Sequence, residues 1–334
     1  MHIRTAATRV AAGLICLGLA WWAQSPGQAA PEDGKRWYKG NLHTHTSHSD
    51  GDSTAMEVAA WYKGNRYHFL VLTDHNYLTE VEGLNQAHAS QEKFLLIPGE
   101  EITDSYGGKP VHVNGVALSK LVLPTGGATM EATIQGNVSA IAAAGGQPSI
   151  NHPNFGWAFG SKELLQIQGA SLFEVYNGHP GVNNAGGGGY ESLDEMWDVL
   201  LTAGKRWHGI AVDDAHHFKV LGKQYSNPGR GWVMVRAGSL EAGAIAAAIR
   251  TGDFYSSTGV ELVSVETMEK GMRLEIKPAN PLKYRTHFIG KGGKVLKTVT
   301  DLKVEYAFTD GDSYVRARVE ASNGDAAWTQ PVWK

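Results

Sequence analysis

The chain has 334 residues, 42% hydrophobic and 19% charged, enough apolar material for a sizeable core, so bulk disorder is excluded. A formal net charge of −3 makes no electrostatic case for nucleic acid, and one cysteine excludes an internal disulfide, Cys-type zinc fingers and Fe–S clusters. With 14 histidines and no useful sulfur, any metal must be held by His, Asp and Glu.

The first predicted element is a targeting segment. Arg4 and Arg9 precede an apolar run from Val10 to Ala23, too short to span a bilayer of about 30 Å as a helix. Small residues follow at Gly27-Gln28-Ala29-Ala30, so residues 1–29 read as a secretory signal peptide. Cleavage would remove Cys16, Arg4 and Arg9, leaving a cysteine-free exported chain, periplasmic or secreted, with no stable membrane span. The 30 basic residues less these two, against 33 acidic, give the mature chain a charge of −5.

From Trp37 to Tyr255, short apolar runs alternate with helix-like segments. Extended segments are expected at 38–42, 68–72, 94–97, 111–116, 148–150, 172–175, 209–212 and 232–235. Thr54–Glu57 and Ser192–Glu195 have the spacing of capping boxes, and Gly204 and Gly252 follow helix-like runs as natural stops. The second of those runs is expected to span Ser239 to Arg250. This alternation predicts an α/β domain with a mostly parallel sheet, over residues 30–258. Gly186–Gly189 is expected to be a loop over or beside a site. Residues 259–334 change character: short, polar-alternating segments separated by glycine-containing turns predict a small antiparallel β-sandwich-like domain. Its last segment is expected at 327–332. Trp328 and Trp333 there are core residues or a glycan platform.

The acids and histidines fall at the ends of these predicted strands. His43 and His45 end the first, and i, i+2 spacing turns both imidazoles to one face. Asp50 follows in the loop; Asp74-His75 ends the second strand and Glu100-Glu101 the third. His112 lies in the next, His152 ends another, and Asp213-Asp214-Ala215-His216 ends the strand at 209–212. Residues from many strand ends converge on one rim of a barrel, which suits a multinuclear Zn, Mn or Fe site. His68, His88, His208 and His287 read as structural or surface residues; His48, His179 and His217 lie near the clusters.

The motifs Asn41-Leu-His-Thr-His45, Ser49-Asp50-Gly51, Leu72-Thr-Asp-His75-Asn76, Pro98-Gly-Glu-Glu101, Val111-His112-Val-Asn-Gly115, Asn151-His152-Pro153, Glu174-Val-Tyr-Asn177 and Asp213-Asp-Ala-His216 resemble, in order, the PHP (polymerase and histidinol phosphatase) family of metallohydrolases. The resemblance implies an irregular (β/α)7 barrel with two or three divalent metal ions at the C-terminal rim of the strands. It implies a first metal on His43, His45, Glu101 and Asp214. Glu101 would bridge to a second metal on His112 and His152, and Asp50, His75 and His216 would hold a third. Glu101 is chosen over Glu100 because the family pattern reads Gly-x-Glu after Gly99. Asp50 stands where some members carry His, and the spacing from Glu101 to His112 is short for the family. Asp74 and Asp213 would orient ligands, although Asp213 can equally partner a strand-end amide. Gly229-Arg230-Gly231-Trp232 and Phe254–Gly259 look like a secreted branch, some of whose relatives resemble carbamate or ester hydrolases.

The expected activity is hydrolysis of a small-molecule phosphate ester, in which a metal-bridging hydroxide attacks phosphorus. Glu101, Asp214, His216 and Asp74 are the expected catalytic residues. Arg230, as a bidentate phosphate clamp, is expected to bind substrate with Asn177 and His179; for Arg230 a surface role is the alternative. Two other readings stand beside this one: a metal-dependent carboxyl-ester, amide or carbamate hydrolase on the same site, and a metal-bearing glycan- or surface-binding protein.

Overall fold

The computed structural model describes residues 2, 34–88 and 93–334, so the expected signal peptide and Cys16 lie outside the described residues. Strand β1 (Arg36–Asn41) begins the fold. It is followed by α1 (Ala55–Gly64), β2 (Phe69–Leu72), α2 (Glu82–His88), β3 (Leu95–Tyr106) and β4 (Lys109–Val116). Next come α3 (Met130–Ala143), β5 (Gln147–Ile150), α4 (Ser161–Leu164), β6 (Leu172–Asn177), α5 (Leu193–Thr202) and β7 (His208–Val212). Then β8 (Trp232–Ala237), α6 (Ala242–Thr251) and β9 (Phe254–Ser257) lead into β10 (Leu262–Met268), β11 (Gly271–Ile276), β12 (Tyr284–Gly290) and β13 (Lys294–Val299). The chain ends with β14 (Lys303–Ala307), β15 (Tyr314–Ala321), β16 (Ala326–Thr329) and β17 (Val332–Trp333).

The architecture is mixed α/β. One large sheet has the order β13-β12-β15-β16-β9-β8-β1-β2-β3-β4-β5-β6-β7. Parallel pairs join β1-β2-β3 and β5-β6-β7, whereas β3-β4, β4-β5, β1-β8 and β8-β9 are antiparallel. Past the two strand ends, the segments after β1 and β7 meet: His45 N donates to Ala215 O (2.9 Å) and Asp214 N to His43 O (3.0 Å). Leu42, just past β1, packs into one core with apolar side chains of β2, β3, β6, β7 and β8, among them Val71, Ile97, Leu172, Ile210 and Val233. Burial of this kind supplies the main folding drive, about 25 cal/mol per Å² of apolar surface.

Local chemistry explains the helix starts. Thr54 and Glu57 form a reciprocal capping box, as do Ser192 and Glu195. Helix α6 starts later than expected, at Ala242, because Glu241 and not Ser239 is its N-cap; it ends at Gly252, whose φ of +77° suits glycine.

Three differences from the sequence expectation matter for the site and its support. The expected strand at 94–97 runs on to Tyr106 and folds back on β4 as a hairpin. Its turn is Gly107-Gly108, with φ of +59° and +74°, conformations glycine adopts without strain. The continuation through Gly99 requires glycine, since a Cβ there would lie 2.4 Å from Val71 Cγ1. The C-terminal strands are not a free-standing sheet: β16 pairs with β9, so the large sheet runs on into β15, β12 and β13. The separate β10-β11-β14 sheet packs on that extension around Met272, Leu274, Phe288 and Val319. Finally, the expected strand at 327–332 breaks at Gln330-Pro331 into β16 and β17, since proline cannot donate to a ladder. Trp328 is buried there, with Nε1 donating to Asp194 (3.0 Å), so it is no glycan platform. No helix among the described residues is long and apolar enough to cross a membrane.

Candidate metal centre

The segments just past β1, β2, β5 and β7 carry His43 and His45, His75, His152, and Asp214 and His216. Glu101 lies on β3 and His112 on β4. The hairpin sets His112 opposite Thr103 and Glu101 opposite Asn114, which resolves the short spacing between them: a tight turn brings the two together without a long connection.

All nine sequence-predicted ligands gather here, in four overlapping groups: His43, His45 and Glu101; His43, His152 and Asp214; His75, Glu101 and His112; and His45, Asp50, His75 and His216. Glu101 is the hub. Its Oε2 lies 3.2 Å from His43 Nε2, 3.2 Å from His45 Nε2 and 3.1 Å from His75 Nδ1. Its Oε1 lies 3.0 Å from His112 Nδ1 and 3.3 Å from His152 Nε2, and accepts from Asn151 Nδ2 (2.9 Å). Asp214 Oδ1 is 3.3 Å from His43 Nε2 and 3.2 Å from His45 Nε2. Asp50 is the outermost member, its side chain 57% exposed, 3.3 Å from His216 Nε2 and 3.6 Å from His75 Nε2. The grouping differs from the expected one in three ways: His45 also joins the Asp50 group, His75 takes a place with Glu101 and His112, and His152 groups with His43 and Asp214.

Two observations show that this donor set fits divalent ions. His43 Nε2 and His45 Nε2 lie 3.1 Å apart, and the nitrogen–carboxylate contacts around them run from 3.2 to 3.3 Å. A tetrahedral ion with bonds of about 2.0 Å separates its ligand atoms by about 3.3 Å. His112 Nδ1 is buried and makes no hydrogen bond despite its 3.0 Å approach to Glu101, as a nitrogen aimed at a shared ion would be.

The electrostatics agree. Burial opposes charge on His43, but Asp214, Glu101 and Glu174 outweigh it and raise its pKa well above the ordinary value. His216 is likewise pushed up to about 9, burial being outweighed by Asp50 and Asp214. Burial alone would raise Glu101 and Asp214; the surrounding imidazoles hold both well below the carboxylate range. Protons therefore occupy the metal-free cluster at neutral pH, and a divalent ion must displace them. Metal affinity should rise with pH through the neutral range, by about tenfold per unit for each proton displaced. Adding Mn²⁺ or Zn²⁺ to weakly buffered protein at pH 7 should release protons. A pH-independent affinity with no proton release would contradict this charge arrangement.

A surrounding layer fixes the ligands. His43 Nδ1 donates to Glu174 Oε1 (2.7 Å), which leaves Nε2 free as a ligand atom. Glu174 Oε2 accepts from His152 N (2.8 Å) and Asn177 Nδ2 (2.8 Å), and Asn177 Nδ2 also reaches Asp214 Oδ2 (3.1 Å). Glu174 is a functional residue that its motif alone does not reveal. The signal was there: it is the one charged residue in the buried strand Leu-Phe-Glu-Val-Tyr-Asn. Glu174→Gln would turn an amide toward donors that need an acceptor. Metal affinity and any turnover should fall about 10- to 100-fold while the fold persists, read by metal titration and circular dichroism. An unchanged affinity would remove Glu174 from this role.

Other expected residues are occupied differently. Asp74 accepts from Thr46 N (2.7 Å), Ser49 Oγ (2.8 Å) and Thr79 Oγ1 (2.8 Å), so it fixes the loop that carries Asp50. Asp213 accepts from Tyr62 OH (2.7 Å), Arg230 N (2.6 Å) and Gly231 N (2.9 Å), the strand-end amide role. Arg230 does not present a bidentate clamp. Nη1 donates to Gly178 O (2.8 Å) and Nη2 to Gly222 O (2.8 Å), tying two loops together, because main-chain carbonyls lie within its reach on both sides. Asn177 likewise serves Asp214 and Glu174. His179 Nδ1 accepts from Gly181 N (3.0 Å), which puts its proton on Nε2, and its ring packs edge-on beside His216, 5.6 Å between centroids. Glu100 points elsewhere, accepting from Val122 N (2.9 Å).

Fold and cluster together define an α/β protein with a histidine–carboxylate cluster able to hold metal where its strands end. Among solved structures, it is similar to a two-domain protein from Bacteroides vulgatus containing a predicted PHP-like metal-dependent phosphoesterase, at 18% identity and a TM-score of 0.52. That alignment covers 93% of this chain and 100% of the other, so the chain has the fold of that PHP-like protein. A protein from Bifidobacterium adolescentis described only as a candidate metal-dependent phosphoesterase aligns at 14% identity and a TM-score of 0.42, over 56% of this chain and 89% of the other. An amidohydrolase from Chromobacterium violaceum, with bound sulfate and no metal, aligns at 20% identity and a TM-score of 0.38, over 54% and 88%. No family model and no curated protein matches the chain.

Proposed function

We propose that this chain is an exported metal-dependent phosphoesterase of the PHP type, its barrel of strand–helix units spanning residues 30–258 and its β-rich domain residues 259–334. The observation that carries the reading is the convergence of six histidines and three carboxylates, Glu101 at their centre, on a fold shared with a PHP-like protein. His43, His45, Glu101 and Asp214 would hold one ion, Glu101, His112 and His152 a second, and Asp50, His75 and His216 a third. Bound divalent ions would supply Lewis-acid chemistry and an activated water at neutral pH.

The chain's own part is positioning. Glu174 and Asn177 lock His43 and Asp214, and Asp74 holds the loop bearing Asp50. His179, protonated on Nε2, is the donor for a substrate oxygen at the mouth. The low pKa values of Glu101 and Asp214 keep both ionised through the neutral range.

One observation favours a second reading. With Arg230 tied to carbonyls, the cationic clamp expected for phosphate is lost, and a carboxyl-ester, amide or carbamate substrate would not need one. Purified protein loaded with Mn²⁺ or Zn²⁺ separates the two. The phosphoesterase reading expects hydrolysis of p-nitrophenyl phosphate or its bis-ester. Hydrolysis of p-nitrophenyl acetate alone would overturn it in favour of the second.

A further inference from the structure

A cavity of about 720 Å³ lies beside the loops that follow β5 and β6, walled by Trp157, Tyr190, Tyr106, Phe159, Met130 and Met196. Trp157 and Tyr190 stack with ring centroids 4.4 Å apart at 22°. Several ties join this wall to the metal centre. The Phe155 ring packs edge-on to both His152 (5.4 Å) and His179 (5.5 Å), two residues before Trp157. Asn154 Nδ2 donates to Asn183 O (2.9 Å) and Glu191 O (2.8 Å), pinning the loop that carries Tyr190 to the loop that carries His152. Lys109, also in the lining, sits three residues before His112 on β4, about 10 Å along the strand.

Trp157 is held at φ +51°, a conformation that bulky residues adopt only when their surroundings impose it, and such strain gathers at functional sites. Gly187-Gly188-Gly189 all take positive φ, which lets a tight loop end on Tyr190. Three charged lining groups are already engaged, and a fourth, Lys162, is exposed to solvent. Lys109 Nζ donates to Gly156 O (2.8 Å), Glu163 accepts from Gly160 N (2.9 Å), and Glu191 accepts from Ser161 Oγ (2.9 Å). A sugar would need such groups free to read its hydroxyls; a flat apolar ring would not.

We propose that this cavity is the subsite for the alcohol half of the ester, and that this half carries an aromatic ring packed on the Trp157–Tyr190 pair. The assignment rests on the phosphoesterase reading above. The test uses the full, metal-loaded chain with 2-naphthyl phosphate and methyl phosphate. Trp157→Ala, and separately Tyr190→Ala, should lower kcat/KM on the naphthyl ester about tenfold more than on the methyl ester, mainly through KM. Calorimetric titration with 2-naphthol should show binding to the unaltered chain and its loss in Trp157→Ala. Trp157-dependent naphthol binding without hydrolysis of either ester would keep the subsite and remove the phosphoesterase reading. Equal losses on both esters, no naphthol binding, or binding untouched by Trp157→Ala would overturn the subsite.

Discussion

Glu101→Gln should remove metal from the centre and lower turnover about 1000-fold or more, the largest effect expected of any single substitution here. One carboxylate lies within 3.3 Å of five imidazoles, so no neighbour can take its place. The amide replacement is nearly isosteric. It removes the negative charge that balances the cluster and turns an NH₂ toward nitrogens that need a cation or a proton. The protein should still fold, because Glu101 contributes charge to the rim and little to the apolar core. Glu100→Gln is the matched control. It alters the adjacent residue, which bonds Val122 N away from the cluster, and should leave metal content within about threefold. Metal content and turnover in Glu101→Gln equal to those of the unaltered chain would contradict the hub role.

Arg316→Ala should destabilise the protein by about 3–5 kcal/mol, the largest stability effect expected. Arg316 is 1% exposed and sits on β15. It grips Asp198 of α5 with two bonds of 2.7 Å and Asp194 at 2.8 Å, over the ring of Trp197. Truncation would leave Asp198 buried with no countercharge, and that penalty dominates. Arg318 is the contrast: it also reaches Asp194 (3.0 Å), but its side chain is 36% exposed, and Arg318→Ala should cost under about 1 kcal/mol. Urea unfolding would read both as a shift in midpoint at constant slope. A shift for Arg316→Ala no larger than that for Arg318→Ala would show that α5 and β15 are not held together by this pair.

Much of the fold was legible because its signals are local. The runs 69–72 and 209–212 are apolar and short, as strands covered on both faces must be, and Thr54–Glu57 and Ser192–Glu195 cap their helices in sight of the sequence. The grouping of His43 with His45 was legible from two-residue periodicity, and that of His75, His152, Asp214 and His216 from their place after apolar runs. What escaped was set by distant partners. Pro98-Gly99 looks like a strand end, yet Gly99 continues β3 because its missing side chain lets Val71 approach. The pairing of β9 with β16 joins segments some 70 residues apart, and no local pattern records it. Arg230 was read as a phosphate clamp because an arginine beside glycines near a ligand motif has no visible partner in sequence. Its partners, Gly178 O and Gly222 O, meet only in the folded chain. Glu174 was missed for the opposite reason: it sits inside a strand, where sequence reading looks for core.

The central claim is that the cluster around Glu101 binds divalent metal. Its most direct test is elemental analysis of the purified chain after incubation with Mn²⁺ or Zn²⁺ and removal of free ion, beside the His43→Ala/His45→Ala double variant. More than one ion per chain in the unaltered protein, with a loss of at least one in the double variant, is the predicted result. Equal metal content in the two proteins, or none in the unaltered chain, would contradict it.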